Sequence, residues 1–334
     1  MRAWRVKAVA WATFWAALTV AIPAKAQTPP SPAWPSKNIT IVLPLAAGTG
    51  MDTIVRLYGE KLQQALGRPV VVDNRPGASF MLAAQAVASA APDGHTLGVV
   101  TATPVAVNPV LFKQMPYDPE KDFVPLALYA KSPFVLVIDP SLPPKTAPEL
   151  IAFMKAGERP LNYSSPGIGT SQHLAMEYVK QRFALAGTHV PYRNTPQSIM
   201  DIVSGHVNLG FAEAGASVPL IKDGKLRAIA VSSAQRLDAI SDTPTFAEAA
   251  GVKDFEAVSW HMLLAPAATP KEVTARLHGT MKTIMADPEV KSRIAGLGLI
   301  PFDTPDEAGM RAYMRSEREK WGALVRHLGL EGTQ

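Results

Sequence analysis

The sequence predicts an α/β fold built as two domains joined by two crossing strands. Three observations carry that prediction. Short β-branched runs alternate with helical patterns, most of the runs are continuously apolar, and two long terminal helices follow the last run with no new strand of their own to cover. Alternating strands and helices define the α/β class. Continuous apolar runs fit strands buried on both faces of a parallel sheet. Terminal helices without a sheet imply a chain that leaves one domain, builds a second and returns to finish the first.

The elements follow in order. "ITIVLPL" (39–45) reads as a strand, and 52–66 as an amphipathic helix closed by Gly67. "PVVVDN" (69–74) is a second strand, "SFMLAAQAVASA" (79–90) a second helix and "HTLGVVTA" (95–102) a third strand. The pattern repeats with "FVLVID" (134–139), a helix over 147–157 stopped by glycine, "LNYSS" (161–165) and a helix from Ser171 to Leu185. "HVPY" (189–192), "VNLGFAE" (207–213) and "LRAIAVSS" (226–233) complete this second set. A late strand, "AVSWHMLLAPA" (257–267), precedes helices over 270–285 and 306–327. Residues 27–130 with 255–334 are therefore predicted to form the first domain and 131–254 the inserted one. The chain would cross near 124–138 and 252–265, with a cleft at the strand C-termini, where open α/β sheets bind ligands.

The first 26 residues stand apart. Arg2, Arg5 and Lys7 precede an apolar stretch from Ala8 to Ile22, and "AKA" (24–26) ends on small residues, the three regions of a cleavable secretory signal. The apolar part is shorter than the ~20 residues of a membrane-spanning helix. "TPPSPAWPSKN" (28–38) reads as an extended leader. The formal charge of +5 comes from 33 basic and 28 acidic side chains. Removing Arg2, Arg5, Lys7 and Lys25 leaves 29 basic against 28 acidic, so the mature chain is nearly neutral and its charge gives no reason to expect nucleic acid or an anionic membrane as a partner. Without cysteine there is no disulfide framework and no thiolate nucleophile. The predicted location is the periplasm, for a monomer without cofactor or metal.

"LPLAAGTGMD" (43–52) lies between a strand and a helix, where glycines free backbone N–H groups for an anion. A P-loop needs Lys and Ser/Thr after its second glycine, but Met51 and Asp52 follow Gly50. A dinucleotide fingerprint needs a third glycine where Thr53 stands. What remains is a glycine turn at a helix start with Asp52 as N-cap, suited to a carboxylate, although taken by itself it reads first as a tight turn with a capping Asp. "NYSSPGIGTSQHL" (162–174) repeats the logic in the other domain, with Gly167, Gly169, Thr170 and Ser171 before a helix. Hydroxyls and free N–H groups at a helix start hold an oxyanion without a cation. One such start per domain could grip the two ends of a small dianion.

Here the chain resembles a known family. "PSKNITIVLPLAAGTGMD", "GRPVVVDNRPGAS", "APDGHTL", "LNYSSPGIGTSQHL", "VPYRNTP", "GKLRAIAVSSAQR", "TPTFAEAAGV" and "SWHMLLAPAATPKEV" follow one another as in the Bug family, the extracytoplasmic receptors of tripartite tricarboxylate transport. The resemblance runs from Trp34 to the C-terminus. It implies a type II, Venus-flytrap solute-binding protein for a small carboxylate, presented to a permease of that system or to a periplasmic sensor domain. In such proteins two glycine-rich loops hold the ligand's carboxyl groups through backbone N–H groups, hydroxyls and water. By position this implies Ala47, Gly48, Thr49 and Asp52 in the first loop, and Ser165, Gly167, Gly169, Thr170, Ser171 and His173 in the second.

The chain departs from the family pattern in four stretches expected to border the cleft. "LAAGTG" (45–50) replaces Phe-Pro-Ala-Gly-Gly, and Ser79, Phe80 and Met81 stand where glycines and a polar residue are common. Ala212-Glu213 replaces Asp-Asn, and His261-Met262 replaces an aromatic and a small residue. A ligand with more apolar bulk than a simple tricarboxylate follows from these changes. Glu213, at the end of a buried strand, would repel a carboxylate unless it meets a cation, so it is assigned to an amino or hydroxyl group of the ligand, against the alternative of a solvent-facing rim carboxylate. Phe80 and Trp260 could wall the ligand or simply pack in the core. His173 and His261 lack a second ligand at H-x-x-x-H spacing, which argues against zinc. Ser171 and His173 stand at i and i+2 and do not face each other on a helix, and no G-x-S-x-G elbow occurs, so the hydrolase alternative has little support. Residues 233–251 read as a solvated surface loop without chemistry.

Overall fold

The computed structural model describes residues 34–334 except 158–160 and 254. The predicted signal and the start of the leader lie outside the described residues. The elements run β1 (Ile39–Leu43), α1 (Gly50–Leu66), β2 (Val70–Asn74), α2 (Met81–Ala88), β3 (Thr96–Val100), α3 (Asn108–Leu111), β4 (Phe123–Ile138), α4 (Ala147–Ala156) and β5 (Asn162–Ser165). They continue with α5 (Ser171–Phe183), β6 (Thr188–Pro191), α6 (Thr195–Val203), β7 (Leu209–Glu213), α7 (Ala214–Lys222), β8 (Arg227–Val231) and α8 (Phe246–Ala250). The chain closes with β9 (Val258–Pro266), α9 (Lys271–Ala286), α10 (Pro288–Gly296), β10 (Ile300–Pro301) and α11 (Glu307–His327).

The strands lie in the order β2-β1-β3-β9-β4-β7-β5-β6, with β8 and β10 also paired to β4. Pairs β1/β2, β1/β3, β5/β6 and β5/β7 are parallel, as the apolar runs predicted, whereas β9 and β4 run antiparallel to their neighbours. The reason is β4, a strand of 16 residues. Its first part, Phe123–Pro133, pairs with β9, and its last part, Phe134–Ile138, pairs with β7 and β8. One strand thus serves two curled halves of the sheet and has to enter the second in the direction in which it leaves the first. The return passes Ala257, whose N–H donates to Ser232 O beside β8, just before β9 begins.

One core cluster runs through both halves, from Val42 and Val87 to Leu136 and Phe211, and each half adds a cluster of its own. Helix α1 buries Ile54, Val55, Tyr58, Leu62 and Leu66 at helical spacing against Ile41, Leu43 and Leu263, joined by Met281 and Met285 of α9. In the other half Val135 and Val137 of β4 pack with Ile199, Ile202 and Val218.

Four local readings are corrected. Helix α1 starts at Gly50 rather than Thr53, because the Thr49 hydroxyl, not Asp52, caps it by accepting the Asp52 N–H at 3.3 Å. Helix α2 starts at Met81 rather than Ser79, because Ala78, Ser79 and Phe80 all have positive φ (47°, 49° and 67°). Helix α10 was missed, although Asp287 as N-cap followed by Pro288 is a helix-start signal. Residues 233–251 hold a capping box (Thr245 with Glu248) and the buried Phe246, so this segment is not wholly a solvated loop.

Candidate functional site

The loop after β5 is built almost entirely from bonds to itself. Ser165 Oγ donates to Gly167 O (2.9 Å), accepts the Gly167 N–H (3.2 Å) and lies 2.7 Å from His189 Nε2. Thr170 Oγ1 donates to Gly167 O (2.8 Å) and accepts the His173 N–H at the start of α5. Gly169 N–H donates to His173 Nδ1 at 3.1 Å, which fixes that ring as the neutral tautomer with its proton on Nε2. Burial lowers the pKa of His173 to about 4 and of His189 to about 3, and the two rings stack 4.1 Å apart. Gly169 is required: its φ is +74°, and a Cβ there would fall 2.0 Å from Leu111 Cδ2.

These bonds decide which hydroxyls remain for a ligand. Those of Ser165 and Thr170 are engaged, whereas Ser171 Oγ, in a residue 1% exposed at the first position of α5, has no partner. A buried hydroxyl without a partner is costly unless a ligand or water completes it.

The first loop is arranged differently. Asp52 accepts from Gly48 N–H (3.0 Å), pairs with Arg56 (3.0 Å) and accepts from Asn74 Nδ2 (3.1 Å). Burial opposes its ionisation, but these three partners outweigh it and hold its carboxyl below the usual range near 3.8. Asp52 and Gly48 therefore hold the loop together, and the Gly48 N–H is already used. The Thr49 hydroxyl caps α1 and donates to Ala46 O, and Ala47 is exposed. Ser79 reaches across to the second loop, its Oγ donating to Ile168 O at 2.7 Å.

Between the loops lies a small cavity of about 20 Å³, room for a single water, so a solute enters only as the loops part. Leu45 and Phe80 line it beside Thr101 and Thr103 after β3, Ser132 and Phe134 of β4, Gln172 of α5, Glu213 of β7, and Ser259 and His261 of β9. No Lys or Arg is among these residues. Three of the polar groups lack a protein partner: Thr101 Oγ1, Glu213 Oε2 and His261 Nδ1. Glu213 is 2% exposed, accepts only the Ser132 hydroxyl (3.3 Å) on its other oxygen, and burial raises its pKa to about 7. It is therefore no solvent-facing rim carboxylate. Burial lowers that of His261 to about 3.

Trp260 does not reach this cavity. Side chains alternate along β9, so Ser259 and His261 face in while Trp260 faces out, its Nε1 donating to Glu317 of α11 at 3.0 Å. Thr101, Thr103, Ser132, Gln172 and Ser259 were missed from the sequence. Thr101 and Thr103 could have been found, since they follow the C-terminal end of a parallel strand. Ser132 could not, because it lies mid-strand.

Two α/β halves sharing a long strand, with a buried polar cavity between the loops at their strand ends, define the class of solute-binding proteins. The chain belongs to the tripartite tricarboxylate transporter family receptors, whose family model matches residues 54–330. A UPF0065 protein of Bordetella bronchiseptica is 36% identical, over 92% of this chain and 89% of its own length. An R. palustris protein solved with adipate superposes with a TM-score of 0.84 at 31% identity, covering 89% of this chain and 98% of its own. MatC from Rhodopseudomonas palustris, solved with malate, gives 0.80 at 30% identity, covering 87% and 100%. The chain is thus a solute-binding receptor of the tripartite tricarboxylate transport type.

Proposed function

We propose that this chain captures a small carboxylate in the periplasm, between residues 27–130 with 255–334 on one side and 131–254 on the other, and passes it to a membrane permease. The observation that carries the reading is Ser171 Oγ, buried and unpartnered at the start of α5, where a helix N-terminus favours an oxyanion. Ser171 does not itself line the cavity but precedes Gln172, which does, and Thr101 and His261 supply unpaired polar atoms in the lining. The adipate and malate carried by two similar structures are the chemistry such a site would take. No bond is made or broken. Closure expels water, and the ligand's hydrogen bonds strengthen as it leaves.

The test is a thermal-shift screen of the mature chain against aliphatic mono-, di- and tricarboxylates, hydroxy acids and acidic amino acids. A ligand that binds only the native state adds about 2.7 kcal/mol at a hundredfold excess over its Kd. A shift with a carboxylate that Ser171→Ala diminishes supports the reading. No shift with any acid overturns it.

A further inference from the structure

Glu213 is the one acid in a cavity whose lining carries no Lys or Arg. Among the described residues, the elements packed around it offer it no counter-charge. Strand β4 brings the Ser132 hydroxyl and the buried Tyr129, whose phenol is pushed up chiefly by burial; Lys131 lies instead over the Phe302 ring at 5.7 Å. Strand β9 brings His261, kept neutral by burial. Helix α1 brings Gly50 and Tyr58, while its Asp52 and Arg56 are closed on each other and on Asn74. Helix α5 brings Gln172; its Glu177 holds Lys180, and His173 is engaged by Gly169. Asp201 of α6 bonds Tyr192, and Arg227 of β8 is taken up by the carbonyls of Pro140, Leu142 and Pro144. Among the described residues no charged side chain contributes to the state of Glu213; burial and the Ser132 hydroxyl account for it. The helix starts of α1 and α7 meet beside it at Gly50 and Gly215, but its carboxyl accepts no backbone N–H from either.

A fully buried carboxyl with one hydrogen bond and no cation is held as the neutral acid, because ionising it in low dielectric is costly. Its free oxygen then carries a proton with no acceptor in the protein. A carboxylate ligand is such an acceptor, and an O–H···O⁻ bond is among the strong, short hydrogen bonds.

We propose that Glu213 is a specificity residue that acts as a neutral acid, donating its proton to a carboxylate oxygen of the bound solute, so that anion capture takes up a proton wherever Glu213 is ionised in the empty receptor. The proton comes from solvent and stays on Glu213; the ligand remains a carboxylate. This rests on the carboxylate-receptor reading and reverses the role assigned to Glu213 from the sequence, in which it faced an amino or hydroxyl group.

Titration calorimetry tests it, with malate, adipate and the acid giving the largest thermal shift as probes. Each is titrated between pH 6 and pH 8.5 in two buffers of different ionisation enthalpy. The wild type is expected to take up close to one proton per ligand above pH 7 and almost none near pH 6, with affinity falling up to about tenfold per pH unit in the upper range. Glu213→Gln is expected to abolish the uptake and flatten the profile. Affinity that rises with pH alongside proton release, with aspartate preferred over malate, would show an ionised Glu213 paired to an ammonium group and overturn the proposal. A carboxylate that binds without any proton uptake overturns it too, and leaves the receptor reading intact. The wild-type proton count decides the matter even if the variant folds poorly.

Discussion

Glu213→Gln should stabilise the empty receptor at alkaline pH, and the gain can be worked from the structure. The Glu213 carboxyl has its pKa raised from an ordinary 4.5 to about 7 by burial, with the Ser132 hydroxyl opposing weakly. Between those two values the folded state binds more protons than the unfolded chain, so stability falls as pH rises. The cost begins near pH 4.5 and is complete above pH 7. At 1.36 kcal/mol per unit it amounts to about 3 kcal/mol. Glutamine keeps the shape and can bond Ser132 but never ionises. The variant should therefore match the wild type within about 1 kcal/mol at pH 4.5 and exceed it by about 3 kcal/mol at pH 8. For a chain of this size that is a Tm difference of about 5 °C. Thermal unfolding of both proteins across pH 4.5 to 8.5, without ligand, reads it directly. A difference that does not change with pH, or a variant less stable than the wild type at pH 8, would refute the view of Glu213 as a buried carboxyl lacking a counter-charge.

The other predictions concern the loops. Ser171→Ala removes a hydroxyl with no internal partner, so it should cost under about 0.5 kcal/mol of stability yet weaken carboxylate binding about tenfold, whereas Thr170→Ala, which loses the α5 cap, should cost about 1 kcal/mol in denaturant unfolding. Gly169→Ala should destabilise by about 2–3 kcal/mol, since it forces a Cβ both into positive φ and to within 2.0 Å of Leu111; a near-neutral melting curve would mean that the loop is not held as described. Ser79→Ala removes the hydroxyl that bonds Ile168 O across the site, and should speed ligand release about fivefold in stopped-flow while leaving Tm nearly unchanged.

The sequence by itself determined the fold class and the order of its strands and helices. Apolar strand runs, helix starts and stops such as Gly67 and Gly157, and the two glycine turns are local signals written in consecutive residues, and the elements they predicted are present within a few residues, except that the strand predicted at 134–139 is the end of β4, which begins at Phe123. Spacing could not decide what each polar group does once the loops fold. Asp52 read as an N-cap is instead a clamp on Gly48, Arg56 and Asn74, because the preceding Thr49 hydroxyl takes the cap. Ser165 and Thr170 looked as available as Ser171, yet only Ser171 is left unpaired. Trp260 and its neighbours Ser259 and His261 are adjacent in sequence and face opposite sides of one strand, so the direction of β9 alone chose which of them meets the cavity. Glu213 became an acid without a counter-charge only when β4, β7, β9, α1 and α5 closed around it. Local order follows from the covalent neighbours of a residue. Hydrogen-bond availability and ionisation depend on the groups that folding brings beside it and on the water that folding removes.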